Sequence, residues 1–449
     1  MTTGGGYGAD DLERPSERQH DDDGRTPFQK DRDRLLYSSF FRRMAGKTQV
    51  VASTERGNFH TRLTHSLKVA QVGRRIAEKQ GFLDPDLVET ACLAHDIGHP
   101  PFGHAGEAEL RLCCERAAAK ILVVPASLRL SLHREAFEGN AQNLRIVADL
   151  AVHYQSGIAE GLDLTRATLD AMTKYGWMRE GTNRKWGVYP SELELSRWIT
   201  GKDPVVDMPK CVEAQLMDWS DDVTFACHDV EDFYRAGLIP LDRLLFRQGP
   251  LPENDYVTEE AHRYLDWYMP KREHELPKPA SRDEVEVAWL DLARRVDSPF
   301  PYRGDRSSKA QAKGNTSKLI GRFIDNVRIS GRRREGEFVL AEDADEARTI
   351  RLQNNLLKNL VFFYVIDEPN LALLQAGQAR IVRELFDAFY AGPESLFPLG
   401  WRERLDGTAT TRLCVTRDYV ASLTEADAFA LYRLVTGLEA GSVLNHMKE

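Results

Sequence analysis

The chain has 449 residues, 42% hydrophobic and 29% charged, with a formal net charge of -9, a composition that supports a large core and argues against a surface built to coat duplex DNA. It does not exclude an anionic substrate, because a local cluster of Arg and Lys overrides the global sign. No apolar run approaches the ~20 residues of a membrane span, the polar N-terminus has no apolar signal core, and six cysteines (Cys92, Cys113, Cys114, Cys211, Cys227, Cys414) without framework spacing read as reduced cytoplasmic thiols.

Long amphipathic stretches dominate and alternating patterns are scarce, so the fold class is mainly α. Residues 1–24, rich in Gly and Asp, read as a disordered N-terminal tail. Residues 25–50 carry Arg25, Arg32, Arg34, Arg42, Arg43 and Lys47 among apolar positions; a solvated helix face and the wall of an anion site are equally compatible. Residues 51–60 form a loop or short hairpin by their Ser, Thr, Gly and Asn content.

Residues 61–118 are helical apart from the GHPPFGHAG turn. Further helices are expected over 132–151, from Thr165 to Tyr175, and from Pro209 to Phe233, with a loop over 180–192. Between 247 and 310 seven prolines suggest a loose insertion, and helical patterns resume at 344–366, 372–390 and 424–438. The resulting plan is a catalytic core over 25–250, an insertion and oligomerisation segment over 251–340, and a C-terminal helical part over 341–449 that completes the site.

His65 falls in the first turn of an apolar-periodic stretch, and His95-Asp96 ends a second one that Gly98 and Pro100 stop. Asp221 lies in the later segment MDWSDDVTFACHDVED. Two imidazoles and two carboxylates (His65, His95, Asp96, Asp221) suit Mn²⁺, Fe²⁺, Co²⁺, Ni²⁺, Zn²⁺ or Mg²⁺. Any one histidine alone is better explained as a structural group; the combination is the signal. Asp221, Phe225 and Asp229 are spaced i, i+4, i+8, which keeps them on one helix face. His104 and Glu107 stand three apart, so the carboxylate can hold the imidazole in one tautomer for proton transfer. His99, between Gly98 and Pro100, reads as structuring the turn. Arg62, one turn before His65, offers a guanidinium that grips a phosphate oxygen.

The segments RTPFQKDRDR, FRRMAGKTQV, RLTHSLKVAQVGR, HDIGHPPFGHAGE, FEGNAQNLR, KYGW, DDVTFACHDVED and RDYVASLTEADAF together resemble the bacterial deoxyguanosinetriphosphate triphosphohydrolase-like (dGTPase/dNTPase) family of the HD-domain superfamily. The resemblance implies an α-helical fold and hydrolysis of a dNTP to deoxynucleoside and inorganic triphosphate with a divalent metal ion. It implies His65, His95, Asp96 and Asp221 as metal ligands and His104 with Glu107 as the catalytic pair. Gln49 and Asp229 would face the sugar 3′-hydroxyl, and Arg62, Lys174 and Arg417 the phosphates. Phe225 stands where the family commonly has a Tyr under the deoxyribose. Family members are commonly homo-oligomers, often hexamers, and some respond to dNTP or single-stranded DNA effectors. Two alternatives remain: an HD-type phosphodiesterase or nucleotide phosphatase, and a nucleotide- or single-strand-binding regulator. GRRREGEF (331–338) is either a solvated loop or a contact for an effector phosphate.

Overall fold

The computed structural model describes residues 7–16, 23–49, 61–121, 132–153, 161–181, 183, 185–245, 257–272, 276, 278–297, 301–366 and 369–439. Their architecture is helical; the named strands are one antiparallel pair, Arg328–Ser330 with Glu337–Val339. The loop expected at 51–60 and the boundary expected near 250 lie outside the described residues.

Local sequence explains where the site-bearing helices begin. Thr61 caps Arg62–Gln80 by accepting from the Thr64 amide, and Asp84 caps Pro85–Ala94 with proline at the first helical position. Both helices pack on each other and on Val212–Thr224. The turn between them and Gly103–Lys120 is tight. A Cβ on Gly98 would meet the Gly139 carbonyl oxygen at 2.4 Å and the Asn143 amide nitrogen at 2.5 Å, so only glycine lets the turn lie against helix Gly139–Arg145.

One apolar core runs through these helices and on into the segment after residue 250, where Tyr264, Tyr268 and Trp289 are fully buried. That segment holds helices Glu259–Arg272, Arg282–Arg295 and Arg306–Asp325. Of its described prolines, Pro270 sits in a last turn and Pro279 just before the Ser281 cap. A second core joins helix Gly103–Lys120 to Pro369–Ala391 and Ala409–Ser422. The candidate site lies between the two.

Two expectations change. Residues 7–16, read as tail, are tied down: Tyr7 is buried against Phe28 and donates to Glu213 at 2.8 Å, and Arg14 pairs with Asp31. The arginines of GRRREGEF are half-buried and paired within the chain. Arg333 pairs with Asp11 and Asp170, Arg334 pairs with Asp170, and Arg332 donates to the Phe82 carbonyl. The basic set of residues 25–50 is also used internally. Arg25 binds Asp23 and Asp33, Arg32 binds Asp86, and Lys47 donates to the His99 and Ala421 carbonyls.

Candidate functional site

His65, fully buried in the first turn of its helix, has Nε2 3.0 Å from Asp221 Oδ1. His95 Nε2 approaches the same oxygen at 3.6 Å. Ligand-capable atoms of His65, His95 and Asp221 all lie within 4.8 Å of one another. The His95 tautomer follows from its other nitrogen. Nδ1 lies 2.7 Å from the Cys92 carbonyl, which only accepts, so Nδ1 carries the proton and Nε2 offers a lone pair. That Nε2 is buried with no hydrogen-bond partner. A convergent set of buried donors with an orphaned lone pair fits a divalent cation.

Asp96 adjoins this cluster with Oδ2 3.6 Å from His95 Nε2. Its oxygens are also engaged elsewhere, Oδ2 by Arg62 and Oδ1 by His99 at 3.0 Å. Burial opposes the charge on Asp221, yet His95, His65 and Lys174 hold its carboxyl below the usual range. Burial likewise opposes charge on His65, but Asp221 and Asp229 push it up to about 10.

His104 opens helix Gly103–Lys120, after a turn in which Phe102 and Gly103 both take positive φ (67° and 55°). Its side chain is 77% exposed, with Nδ1 3.2 Å from Glu107 Oε2. Glu107 is buried, and its other oxygen accepts from Lys185 at 3.2 Å and the Gly139 amide at 3.3 Å. Burial alone would raise the Glu107 carboxyl, but the His104 hydrogen bond and Lys185 hold it well below the ordinary value. His99 turns out to be buried beside Asp96 with its ring edge-on to His104 at 6.0 Å, and burial and Arg62 keep it neutral.

A cavity of about 710 Å³ connects these groups, a size suited to one small-molecule ligand. His95, Asp96, Asp221 and His104 line it, together with Lys174, Lys185 and Lys358 and the apolar side chains of Met217, Phe225, Phe362, Ile366 and Leu371. Gln49 and Arg62 line it as well, and Gln49 Oε1 is buried and unpartnered. Lys174 lies between Asp218 and Asp221, 3.9 Å from the latter.

Asp229 is buried, with Oδ1 3.7 Å from His65 Nδ1. Arg417 is fully buried: its guanidinium pairs with Glu135 and Asp418 and stacks on Tyr189 at 3.9 Å, away from the cavity wall. Conversely, Lys185 and Lys358 line the cavity without having been singled out. A lone lysine carries no signal in one sequence, since most lysines are solvated surface charges. Tyr175 and Asn140 also line it, and their motifs KYGW and FEGNAQ were the available hint.

Family comparison agrees with this geometry. The HD domain model matches residues 62–225, and a phosphohydrolase-associated domain model matches residues 346–434. A deoxyguanosinetriphosphate triphosphohydrolase-like protein of Streptomyces coelicolor is 39% identical, the match covering 92% of this chain and 93% of the relative. Proteins of the same description from Bifidobacterium longum and Corynebacterium efficiens are 33% and 36% identical over 96% and 93% of this chain, and over 87% and 92% of their own lengths. Among the described residues, no helix is long and apolar enough to cross a membrane.

Proposed function

We propose, since the chain belongs to the deoxyguanosinetriphosphate triphosphohydrolase-like family of HD-domain proteins, that it hydrolyses deoxynucleoside triphosphates to deoxynucleoside and inorganic triphosphate. The observation that carries this reading is one cavity lined by His95 and Asp221 of the candidate metal cluster, by Asp96 and His104, by three lysines and by several apolar side chains. A nucleoside triphosphate offers matching kinds of part: a polyanion, a sugar and a flat apolar base.

His65, His95, Asp96 and Asp221 would hold a divalent ion, which when bound supplies Lewis acidity at a phosphate oxygen and lowers the pKa of water. His104 is the proton donor. Cleavage between the α-phosphorus and the 5′-oxygen leaves an alkoxide-like group, and the exposed His104 ring, its Nδ1 turned toward Glu107, presents Nε2 to protonate it. Water becomes bonded to the α-phosphorus and releases its proton, so triphosphate and nucleoside balance the reaction. Lys174, Lys185, Lys358 and Arg62 offset phosphate charge, and Phe225 gives the sugar an apolar platform.

The test is product analysis. A dNTP is incubated with Mn²⁺, with and without a chelator, and products are separated by anion exchange. Triphosphate plus nucleoside, lost on chelation, is the expected result. Pyrophosphate plus dNMP would overturn the assignment, and turnover confined to cyclic nucleotides or monophosphates would point to an HD-type phosphodiesterase or phosphatase. Nucleotide binding without any turnover would favour a regulator.

A further inference from the structure

The helix that His104 opens begins without the usual anchor. Its N-cap residue is Phe102, whose side chain has no atom to accept the free amides of a first turn. Phe102 also takes φ 67° and ψ 22°, a left-handed conformation that a residue with a side chain keeps only where its surroundings hold it. The support comes from a distant part of the chain. Glu425, the first residue of helix Glu425–Val435, accepts the Phe102 amide through Oε1 at 3.3 Å. The Phe102 ring lies edge-on to Phe429 of the same helix, with centroids 5.3 Å apart.

The Glu425 carboxylate is itself fixed. Its Oε1 also accepts the Thr48 amide at 2.8 Å, and its Oε2 accepts the Thr48 hydroxyl at 2.7 Å. The helix is capped by Thr424 in a box with Asp427, so the Glu425 side chain has no part in the cap and reaches outward. The approach is close: a Cβ on Gly46 would meet Thr424 side-chain carbons at 2.9 Å. On its other side, Thr48 forms a bridge with Thr61, and the Lys47 carbonyl accepts the Arg62 amide at 3.0 Å. Lys47 Nζ adds a second tie, donating to the His99 carbonyl at 2.6 Å and the Ala421 carbonyl at 2.9 Å. Two segments that line the cavity, Thr48–Gln49 and Phe102–His104, are thereby joined to each other and to helices Ala409–Ser422 and Glu425–Val435.

We infer that Glu425 is a positioning residue for His104: gripped by Thr48, its carboxylate holds the Phe102 amide, and through the Phe102–Gly103 turn it sets the place of the His104 ring on the cavity wall. The inference rests on the reading of His104 as proton donor given above. Proton transfer requires the ring within hydrogen-bond reach of the leaving oxygen, and a misplacement of about 1 Å caused by a change away from the chemistry can cost about 100-fold. The bridge needs reach and accepting oxygens rather than charge, which separates it from an electrostatic effect of the acid.

The experiment measures kcat of the full chain on the four dNTPs with Mn²⁺, beside equilibrium binding of the labelled nucleotides and the thermal melt. The variants are Glu425→Ala, Glu425→Gln and Glu425→Asp, with Glu425→Ala also placed in the His104→Ala background. Glu425→Ala should lose about 100-fold in kcat while nucleotide affinity stays near wild type. Glu425→Gln keeps an oxygen for both amides and offers its NH₂ to the Thr48 hydroxyl, so it should lose only a few-fold. Glu425→Asp keeps the charge but falls one methylene short, and should lose more than the Gln variant. The Gln and Asp pair carries the test if the alanine variant does not fold. In the His104→Ala background, Glu425→Ala should cause no further loss, an outcome that general loosening of the fold would not give. Wild-type kcat in the Ala and Asp variants overturns the inference, as do equal losses in both backgrounds. A larger loss in Gln than in Asp would assign the effect to charge and overturn it too. Absence of dNTP turnover in the wild type would remove the proton-donor reading and this inference with it; turnover in the wild type with unchanged variants removes this inference alone.

Discussion

Lys185 reaches the Glu107 carboxylate at one oxygen while His104 approaches the other: Nζ is 3.2 Å from Oε1, and His104 Nδ1 is 3.2 Å from Oε2. Lys185 also donates to Glu138 at 3.0 Å. Its loop is fixed by Trp186, fully buried between the guanidinium groups of Arg111 and Arg179, each 5.0 Å from the ring centroid.

Removing the ammonium in Lys185→Met leaves Glu107 and Glu138 less compensated, so the Glu107 carboxyl should titrate at higher pH. Glu107 must be ionised to orient His104, and activity falls as pH drops through its pKa. The acid limb of the kcat profile should therefore move to higher pH, with kcat near neutrality reduced by roughly 10- to 100-fold. A pH–rate profile with an unmoved acid limb would contradict this coupling.

His104→Ala removes the proposed proton donor but no buried contact, because the ring is 77% exposed. The expected loss in kcat is about 10²- to 10⁴-fold with nucleotide affinity retained. Single-turnover rates beside equilibrium binding of a labelled dNTP separate the two quantities. Glu107→Gln should lower kcat in the same direction, since an amide orients the ring without favouring its protonated form.

Arg417 predicts a stability effect. Its guanidinium donates to the Glu135 carboxylate at 2.7 Å and backbone at 3.0 Å, and Asp418 pairs with both Arg417 and Arg145. Arg417→Met leaves the buried Glu135 carboxylate without its cation and should destabilise the fold by about 3–5 kcal/mol. Urea titration measures the loss, and KM of the folded fraction should stay near wild type. A raised KM with normal stability would return Arg417 to the phosphates.

His228 supplies a pH signature. Burial, with Lys68 nearby, pushes its imidazole from 6.5 down to about 4. The folded value lies below the unfolded one, so the unfolded chain binds the extra proton between them. Wild type should lose stability from this group as pH falls from about 6.5 toward 4, on the order of 2–3 kcal/mol. The difference in urea midpoint between wild type and His228→Asn, followed across that window, should close or reverse in favour of the variant as pH falls. A difference independent of pH would show that His228 is not held neutral.

The sequence by itself determined the helical class, the helices that bear His65, His95 and His104, and the residue types of the metal cluster. Periodicity, caps and glycine–proline stops are local signals, and HD and HPPFGH are contiguous. It also exposed the family through motifs spread along most of the chain. What it left open depends on packing between distant segments. Asp229 ends the π turn Phe225–Asp229 with Oδ1 3.7 Å from His65 Nδ1, and no spacing rule for a regular helix contains that extra residue. Arg417 and the GRRREGEF arginines read as candidate anion contacts because side-chain charge is visible in sequence while its partner is not; only the tertiary structure supplies Glu135, Asp418, Asp11 and Asp170. Lys185 and Lys358 become cavity residues for the converse reason: their place is set by Trp186 packing against Arg111 and by Lys358 pairing with Asp222, contacts between segments distant in the chain.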